Sequence, residues 1–247
     1  MVYSDSHCHL DRYQAESLTE MLQQARANKV DFIVSQGMNL ESSADTVRLA
    51  QSQPGVYAAV GIHPWNAITP TEELRGQLRQ LAGQDKVVAI GEIGLDYARS
   101  PETKDTQKEL LKYELSLALE TGLPVNIHCR EAHQDMMDIL RQEARPGLKG
   151  IIHGFTGGLS MLKDWLDLGF YISIGGRGFV TSETPALLDA IRQIPQDRLL
   201  TETDAAGQAG GPADVTAVVQ KLASIREATE EEIANTATAN LKRIHGI

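Results

Sequence analysis

The sequence predicts an α/β protein, a single TIM-type (β/α)8 barrel with an extra C-terminal helix that fills residues 1–247. The first observation is length, since 247 residues is close to the roughly 250 of one such barrel. The second is the alternation of strand and helix patterns without a Ser/Pro-rich linker. The third is a set of eight short Val- and Ile-rich runs, which begin near Val2, Asp31, Val56, Val87, Pro124, Gly150, Tyr171 and Leu199.

The segments between these runs show helical apolar stripes, which we expect to face the core. Three of the stripes are Leu18–Met21–Leu22–Ala25, Val215–Val218–Val219–Leu222 and Leu159–Leu162–Leu166. The last helix is predicted to begin with a capping box, Thr229 followed by Glu232. An open doubly wound sheet is the alternative fold, but the glycine-rich turn typical of that fold is absent after the first strand, where the chain reads HCHLDR.

Composition limits the classes of function. The net charge of −10 disfavours broad, sequence-independent binding along a nucleic-acid groove. No apolar run reaches the roughly 20 residues of a membrane span, and the N-terminus lacks a signal-peptide pattern. The two cysteines, Cys8 and Cys129, fit a reducing compartment. We therefore expect a cytoplasmic protein without a membrane partner.

Polar residues interrupt the predicted strands at one end. His7 and His9 close the first strand, and residues two apart in an extended chain point the same way. The other strand-end residues are His63, Glu92, His128, His153 and Asp204. In a parallel barrel these ends form one rim, where active sites are found.

Imidazole and carboxylate groups gathered on one rim predict a metal centre. Such a set is able to hold two divalent ions. Two neighbouring ions share a bridging hydroxide and stabilise the oxygens of a hydrolysis reaction. The ions also reverse the local charge, so the acidic composition does not exclude a polyanionic substrate.

Six ordered motifs carry a resemblance to a known family. They are DSHCHLD at 5–11, GIHPW at 61–65, GEIGLDY at 91–97, IHCREA at 127–132, IHGFTG at 152–157 and ETDA at 202–205. Together they resemble the TatD-type metal-dependent deoxyribonucleases of the amidohydrolase-like group. The resemblance extends from Asp5 to ATANLKRI near the C-terminus.

The resemblance implies the ligands of two divalent metals. The first metal is held by His7, His9, Glu92 and Asp204, and the second by Glu92, His128 and His153. Asp204 also orients the hydrolytic water or accepts its proton, so Glu92 and Asp204 are the expected catalytic residues. Histidine ligands favour zinc, manganese, nickel or cobalt, whereas the resemblance implies magnesium, so Zn, Mn and Mg remain candidates.

The resemblance also implies the substrate. His63 and Arg130 match positions beside the bound phosphate, and a guanidinium suits phosphate oxygens. The expected activity is a 3'-5' exonuclease acting on single-stranded DNA or DNA ends.

Three neighbouring residues have two interpretations each. Asp96 either fixes a histidine through its second nitrogen or stabilises a turn. Trp65 and Tyr97 either stack on bases or pack a loop against the rim.

Two other functions remain open. The same metals would serve an ester or amide hydrolase, such as an aminoacyl-tRNA deacylase or a lactonase. A metal-bearing binding subunit of a larger complex is the third hypothesis. Its support is the segment AAGQAGGP at 205–212, where the family has a proline and an aromatic residue.

Overall fold

The fold is known from a computed structural model, which describes residues 1–143, 147–176, 179, 184–206 and 210–247. Its strands are β1 Tyr3–His9, β2 Val30–Gln36, β3 Val56–Val60, β4 Val87–Asp96, β5 Val125–Arg130, β6 Gly150–Ile152, β7 Tyr171–Gly175, β8 Leu199–Glu202 and β9 Ala205–Ala206. Its helices are α1 Ala15–Ala27, α2 Leu40–Ser52, α3 Glu72–Ala82, α4 Lys104–Thr121, α5 His133–Glu143, α6 Leu159–Asp167, α7 Pro185–Gln193, α8 Val215–Arg226 and α9 Glu230–His245.

The predicted strand positions are confirmed. Each of the eight predicted runs begins within one residue of the first residue of an observed strand. The two-residue strand β9 was not predicted, because Ala205 and Ala206 carry no strand pattern. It lies in the 205–212 segment, of which residues 207–209 are outside the described part of the chain.

Residue contacts divide the chain into two compact units. The first contains residues 1–35 and 153–247. In it β1 pairs in parallel with β2 and β9, and β7 pairs in parallel with β8. The apolar core of this unit includes the fully buried side chains of Trp165, Phe170 and Phe179. Thr201 at the middle of β8 donates a hydrogen bond to the carbonyl of Ser4, 2.9 Å away, so β8 is tied to β1.

The second unit contains residues 36–152. Its strands β3, β4, β5 and β6 pair in parallel, each with the next along the chain. Helix α4 supplies a continuous set of buried leucines to this unit: Leu110, Leu111, Leu115 and Leu117. A doubly wound sheet reverses its strand order at a switch point, and the described strands of this unit show no reversal. That order favours the barrel prediction. The interpretation of residues 1–247 as one domain stays a prediction.

The extra C-terminal helix is confirmed as α9. Thr229 accepts a hydrogen bond from the Glu232 N–H at 3.2 Å, and the Glu232 carboxylate accepts one from the Thr229 N–H at 2.8 Å. This reciprocal pair is the predicted capping box. The apolar face of α9, which includes Ile233 and Leu241, is buried.

One predicted stripe is wrong. Leu159 is 43% exposed and Leu166 is half-buried, whereas Leu162 and Trp165 are the buried residues of α6. The stripe is therefore rotated by part of a turn, because the larger Trp165 side chain takes the core position and its ring packs on Phe170 with centroids 5.3 Å apart.

Among the described residues, no helix has the length and apolar character needed to cross a membrane.

Candidate functional site

Three predicted ligands of the first unit come together. The Nε2 atoms of His7 and His9 are 3.3 Å apart. Asp204 Oδ1 lies 3.7 Å from the His7 Nε2 and 3.5 Å from the His9 Nε2. Both histidines are buried, and the Asp204 side chain is 44% exposed. The cluster is therefore reachable by solvent from the Asp204 side.

These distances fit a metal ion. Ligands arranged tetrahedrally around zinc at 2.0–2.1 Å would lie about 3.4 Å from one another, which is the separation seen among His7, His9 and Asp204. Two ring nitrogens and a carboxylate oxygen that converge on one point present their lone pairs to it, and a cation satisfies all three. The donor set fits a divalent metal.

A buried carboxylate holds this cluster in place. Asp5 accepts hydrogen bonds from the His7 N–H at 3.2 Å and from the Thr203 N–H at 3.0 Å, and Thr203 Oγ1 donates another at 2.5 Å. Burial raises the pKa of Asp5 to about 8. The Asp204 N–H also donates to the His7 carbonyl at 2.9 Å. Asp5 thus connects the backbone before His7 with the backbone before Asp204, although 198 residues separate Asp5 from Thr203.

His153, the fourth predicted ligand of the first unit, lies against His7. Their rings stack with centroids 3.8 Å apart and planes inclined by 12°. Glu202 Oε1 is 3.4 Å from the His153 Nδ1 and accepts the Gly154 N–H at 2.7 Å. Glu202 is thus a buried carboxylate beside His153 that was not predicted, and its hydrogen bond is with the Gly154 backbone.

The second unit holds the other cluster. Glu92, on β4, is buried, and its Oε1 lies 2.9 Å from the His128 Nδ1 and 3.2 Å from the His63 Nε2. The ligand atoms of these three residues lie within 4.8 Å of one another. The three residues come from successive parallel strands, but only His63 and His128 lie near a carboxyl end, because β4 continues for four residues beyond Glu92.

His128 lies between two carboxylates. Its Nε2 is 3.1 Å from Asp96 Oδ2, which also accepts the Trp65 indole N–H at 2.7 Å. Burial alone would raise the pKa of Asp96, but the hydrogen bonds from His128 and Trp65 outweigh it, so that the pKa lies well below its usual range. The ionised Asp96 accepts a hydrogen bond from the His128 Nε2–H, which leaves Nδ1 as the nitrogen available to a metal. Of the two interpretations of Asp96, the contact with His128 favours the first.

Asp96 also stabilises a turn, as the other interpretation holds. Its Oδ1 accepts the N–H groups of Ala98 at 3.0 Å and Arg99 at 2.9 Å. One carboxylate therefore fixes both a candidate ligand and the segment that follows β4.

His63 has a different hydrogen-bonding role from the ligands. Its Nδ1 accepts the backbone N–H of Trp65 at 3.1 Å, so the ring proton is on Nε2. The His63 Nε2 then donates to the Glu92 carboxylate. This hydrogen-bonding pattern favours His63 as a donor to Glu92, and its contact with phosphate stays a prediction.

Arg130 ends β5, two residues after His128, and its side chain is exposed. Its carbonyl accepts the Tyr97 N–H at 2.9 Å. The Trp65 ring lies 4.4 Å from the His63 ring, and its indole N–H is bound to Asp96, which together favour packing as the role of Trp65. The Tyr97 hydroxyl donates to Asp135 at 2.7 Å.

Replacing Asp96 with Asn tests its role behind His128. The asparagine amide presents an NH₂ group where Asp96 accepts hydrogen bonds from His128, Trp65 and two backbone N–H groups. Without that acceptor, the ring proton of His128 is no longer fixed on Nε2. We expect the affinity for Mn²⁺ or Zn²⁺ to fall 10- to 100-fold, the usual loss when a residue behind a ligand is changed. Calorimetric titration of chelator-treated protein measures it. Asp85→Asn, an exposed change in the same unit, is the control, and equal affinities in the two variants would contradict the role.

The chain is similar to known proteins over almost its whole length. The family model described as TatD related DNase matches residues 4–246. The chain is 37% identical to the uncharacterized metal-dependent hydrolase YabD of Bacillus subtilis, with 98% of each chain covered. It is 39% identical to the 3'-5' ssDNA/RNA exonuclease TatD of Musicola paradisiaca, over 75% of this chain and 70% of that protein.

Solved structures show the same fold. The TatD homolog YJJV from Escherichia coli K12 superposes with a TM-score of 0.89 at 30% identity, covering 99% of this chain and 98% of that one. An uncharacterized Tim-barrel protein from Bordetella bronchiseptica covers 100% of both chains with a TM-score of 0.67 at 15% identity. The predicted TIM-type α/β fold class is confirmed.

Strand-end clusters of histidine and carboxylate on a TIM-type fold define the class, a metal-dependent hydrolase. The chain belongs to the TatD related DNase family. The family predicted from the six motifs is therefore confirmed.

Proposed function

We propose that this protein is a 3'-5' exonuclease that hydrolyses phosphodiester bonds of single-stranded DNA or of DNA ends. The observation that carries the proposal is the convergence of His7, His9 and Asp204 at distances that fit a divalent cation. The substrate is supported by the printed name of the Musicola paradisiaca relative, an ssDNA/RNA exonuclease.

We assign the metal ligands as the sequence motifs imply. His7, His9 and Asp204 would hold one divalent ion, His128 and His153 a second, and Glu92 would be a ligand of both. Zn, Mn and Mg remain the candidates for their identity. Bound divalent ions would supply Lewis acidity and positive charge for the negative charge that develops on the phosphate oxygens.

The other tasks belong to the side chains themselves. Asp204 is the partly exposed carboxylate of its cluster, so it is placed to accept the proton of the attacking water at one of its oxygens. The exposed Arg130 offers a planar guanidinium that binds two phosphate oxygens at once. His63 offers its Nε2–H as a hydrogen-bond donor, which would turn from the Glu92 carboxylate to a phosphate oxygen when substrate binds.

A cytoplasmic location is part of the same proposal. It is supported by the two free cysteines, of which Cys8 is fully buried, since cytoplasmic proteins keep their thiols reduced.

The test compares substrates and metals side by side. Purified protein is analysed for metals, stripped with chelator and supplied with Zn²⁺, Mn²⁺ or Mg²⁺ in turn. Each form is assayed on single-stranded DNA labelled at the 5' end, on the same strand labelled at the 3' end, and on an activated carboxylic ester. We expect metal-restored release of single nucleotides from the 3' end. Ester hydrolysis without DNA cleavage would favour the ester or amide hydrolase instead. Stoichiometric complex formation without turnover of either substrate would favour the binding subunit.

A further inference from the structure

Arg99 stacks on Trp65 beside the Glu92–His128 cluster. The guanidinium carbon of Arg99 lies 3.8 Å from the centroid of the indole ring. The same ring is 4.4 Å from the His63 ring and 6.2 Å from the His128 ring, measured between centroids. Trp65 therefore contacts both Arg99 and a histidine of the Glu92–His128 cluster.

The stacked pair is fixed at both ends by Asp96. Asp96 Oδ2 accepts the Trp65 indole N–H at 2.7 Å, and Asp96 Oδ1 accepts the Arg99 backbone N–H at 2.9 Å. Gln107 holds the rest of the segment, because its side-chain amide donates to the Ser100 carbonyl at 2.8 Å and accepts the Asp96 N–H at 2.9 Å. The backbone that carries Arg99 is thus held by hydrogen bonds to buried side chains.

The edge of the guanidinium stays available. Arg99 is exposed, and its guanidinium forms no salt bridge with any residue in the part of the chain that the structure describes. Stacking covers one face of the group but leaves its N–H donors in the plane, where they match two oxygens of a phosphate. A cation held this way is already oriented, so binding costs little side-chain entropy. In a chain of net charge −10, an unpaired, oriented cation beside the candidate site favours an anionic ligand.

We propose that Arg99, supported by Trp65, forms a subsite for the backbone phosphate next to the scissile one in a single-stranded nucleic acid. The proposal rests on the proposed exonuclease function, and it names a contact that Arg130 and His63 do not supply. Arg99 touches substrate in this arrangement, and Trp65 is the residue that positions it.

The first experiment measures binding without cleavage. A fluorescent single-stranded oligonucleotide is titrated in chelator with wild type, with Arg99→Gln and with Arg48→Gln, and anisotropy is followed at several salt concentrations. Arg48 is an exposed arginine of the same unit that pairs with Asp45, so it controls for the loss of one charge. We expect the slope of log affinity against log salt to become shallower by about 0.7 in Arg99→Gln, the value for one lost phosphate contact on a single strand. Arg48→Gln should keep the wild-type slope.

The second experiment uses cleavage and a modified substrate. We expect Arg99→Gln to lower kcat/KM on the oligonucleotide about tenfold more than on bis(p-nitrophenyl) phosphate, which has no second phosphate. Replacing the neighbouring phosphate with an uncharged methylphosphonate should cost wild type about tenfold and Arg99→Gln far less, because the two changes remove one contact.

The outcomes separate the two proposals. Equal losses on both substrates, additive effects of the variant and the methylphosphonate, or a salt slope equal to that of Arg48→Gln would overturn the subsite while leaving the exonuclease in place. Failure of wild type to bind the strand in chelator would also overturn it, since the Arg99–Trp65 pair needs no ion. An Arg99-dependent slope without any DNA cleavage would retain a backbone-phosphate contact at Arg99 and reject the exonuclease, and with it the position of that contact next to a scissile phosphate.

Discussion

Asp204→Asn is expected to lower kcat for DNA cleavage by about a thousandfold or more. The asparagine keeps the shape of the side chain but has an NH₂ group in place of one carboxylate oxygen. It therefore does not accept a proton from water, and it does not supply an anionic ligand beside His7 and His9. Loss of a general base alone costs about 10²- to 10⁴-fold, and a weakened metal site adds to it. The backbone tolerates the change, because Asp204 has φ 49 and asparagine adopts that left-handed conformation readily.

Glu92→Gln is expected to lose activity to a similar extent, since Glu92 Oε1 is the anion that faces both His63 and His128. Initial rates on single-stranded DNA, bound metal per chain and the melting temperature are measured together for both variants. Asp167→Asn, a change in an exposed ion pair with Lys163, controls for the loss of a carboxylate. Retention of wild-type rates by either site variant would rule out the assigned role of that residue.

The strands were predictable because their pattern is local. Val56, Val87, Gly150, Tyr171 and Leu199 begin strands where the apolar runs begin, since strands buried on both sides are apolar throughout. The polar residues that end these runs were therefore recognisable as exceptions. His7, Glu92 and His128 were identified in this way, and each lies in one of the two clusters.

The helix faces were less predictable. A stripe of leucines in α6 has several possible rotations, and the choice depends on which side chain fills the space beneath the helix. Trp165 is 2% exposed and Leu159 43%, because the larger ring gains more from burial. The shape of that space depends on the tertiary structure, so the spacing of apolar residues at i, i+3 and i+4 does not reveal it.

The supporting carboxylates were not predictable for a related reason. Asp5 reaches Thr203, and Glu202 reaches Gly154, across 198 and 48 residues of chain. Nothing in the spacing of these residues indicates a partner so distant. A partial signal existed for Glu202, since a charged residue at the end of an otherwise buried strand requires a partner.

Substitutions at Glu114 are expected to have a large effect on the stability of the protein rather than on its activity. The Glu114 side chain is fully buried in α4, and Oε1 accepts the Ile62 N–H at 2.7 Å. Oε2 has no hydrogen-bond partner among the described residues. Burial raises the pKa of Glu114 well above its usual value, and the hydrogen bond from Ile62 lowers it by less. The folded protein therefore keeps this carboxyl protonated at pH values where the unfolded chain has released the proton.

The sign of the pH dependence follows from that difference. An unfolded glutamate has a pKa of about 4.3, so below this pH both states are protonated and the group makes no pH-dependent contribution. Above it only the folded state holds the proton. The free energy of unfolding then falls by up to about 1.4 kcal/mol per pH unit until the folded pKa is reached.

Glu114→Gln should remove this loss, because glutamine still accepts the Ile62 N–H and never ionises. We expect the variant to gain stability over wild type as the pH rises above the pKa of an unfolded glutamate, by up to about 1.4 kcal/mol per pH unit until the folded pKa of Glu114 is reached. Urea unfolding at each pH measures the difference. Glu109→Gln, an exposed change in the same helix, should leave the wild-type pH dependence in place.

Glu114→Ala separates the hydrogen bond from the charge. At pH 5 we expect alanine to cost about 2–4 kcal/mol, since it leaves the Ile62 N–H without its acceptor and opens a cavity. Parallel pH profiles for wild type and Glu114→Gln would mean that the carboxyl is ionised in the folded state. A buried partner or water would then have to stabilise the anion next to the strand end that carries His63, so the same measurement decides whether the support beneath that histidine is neutral or charged.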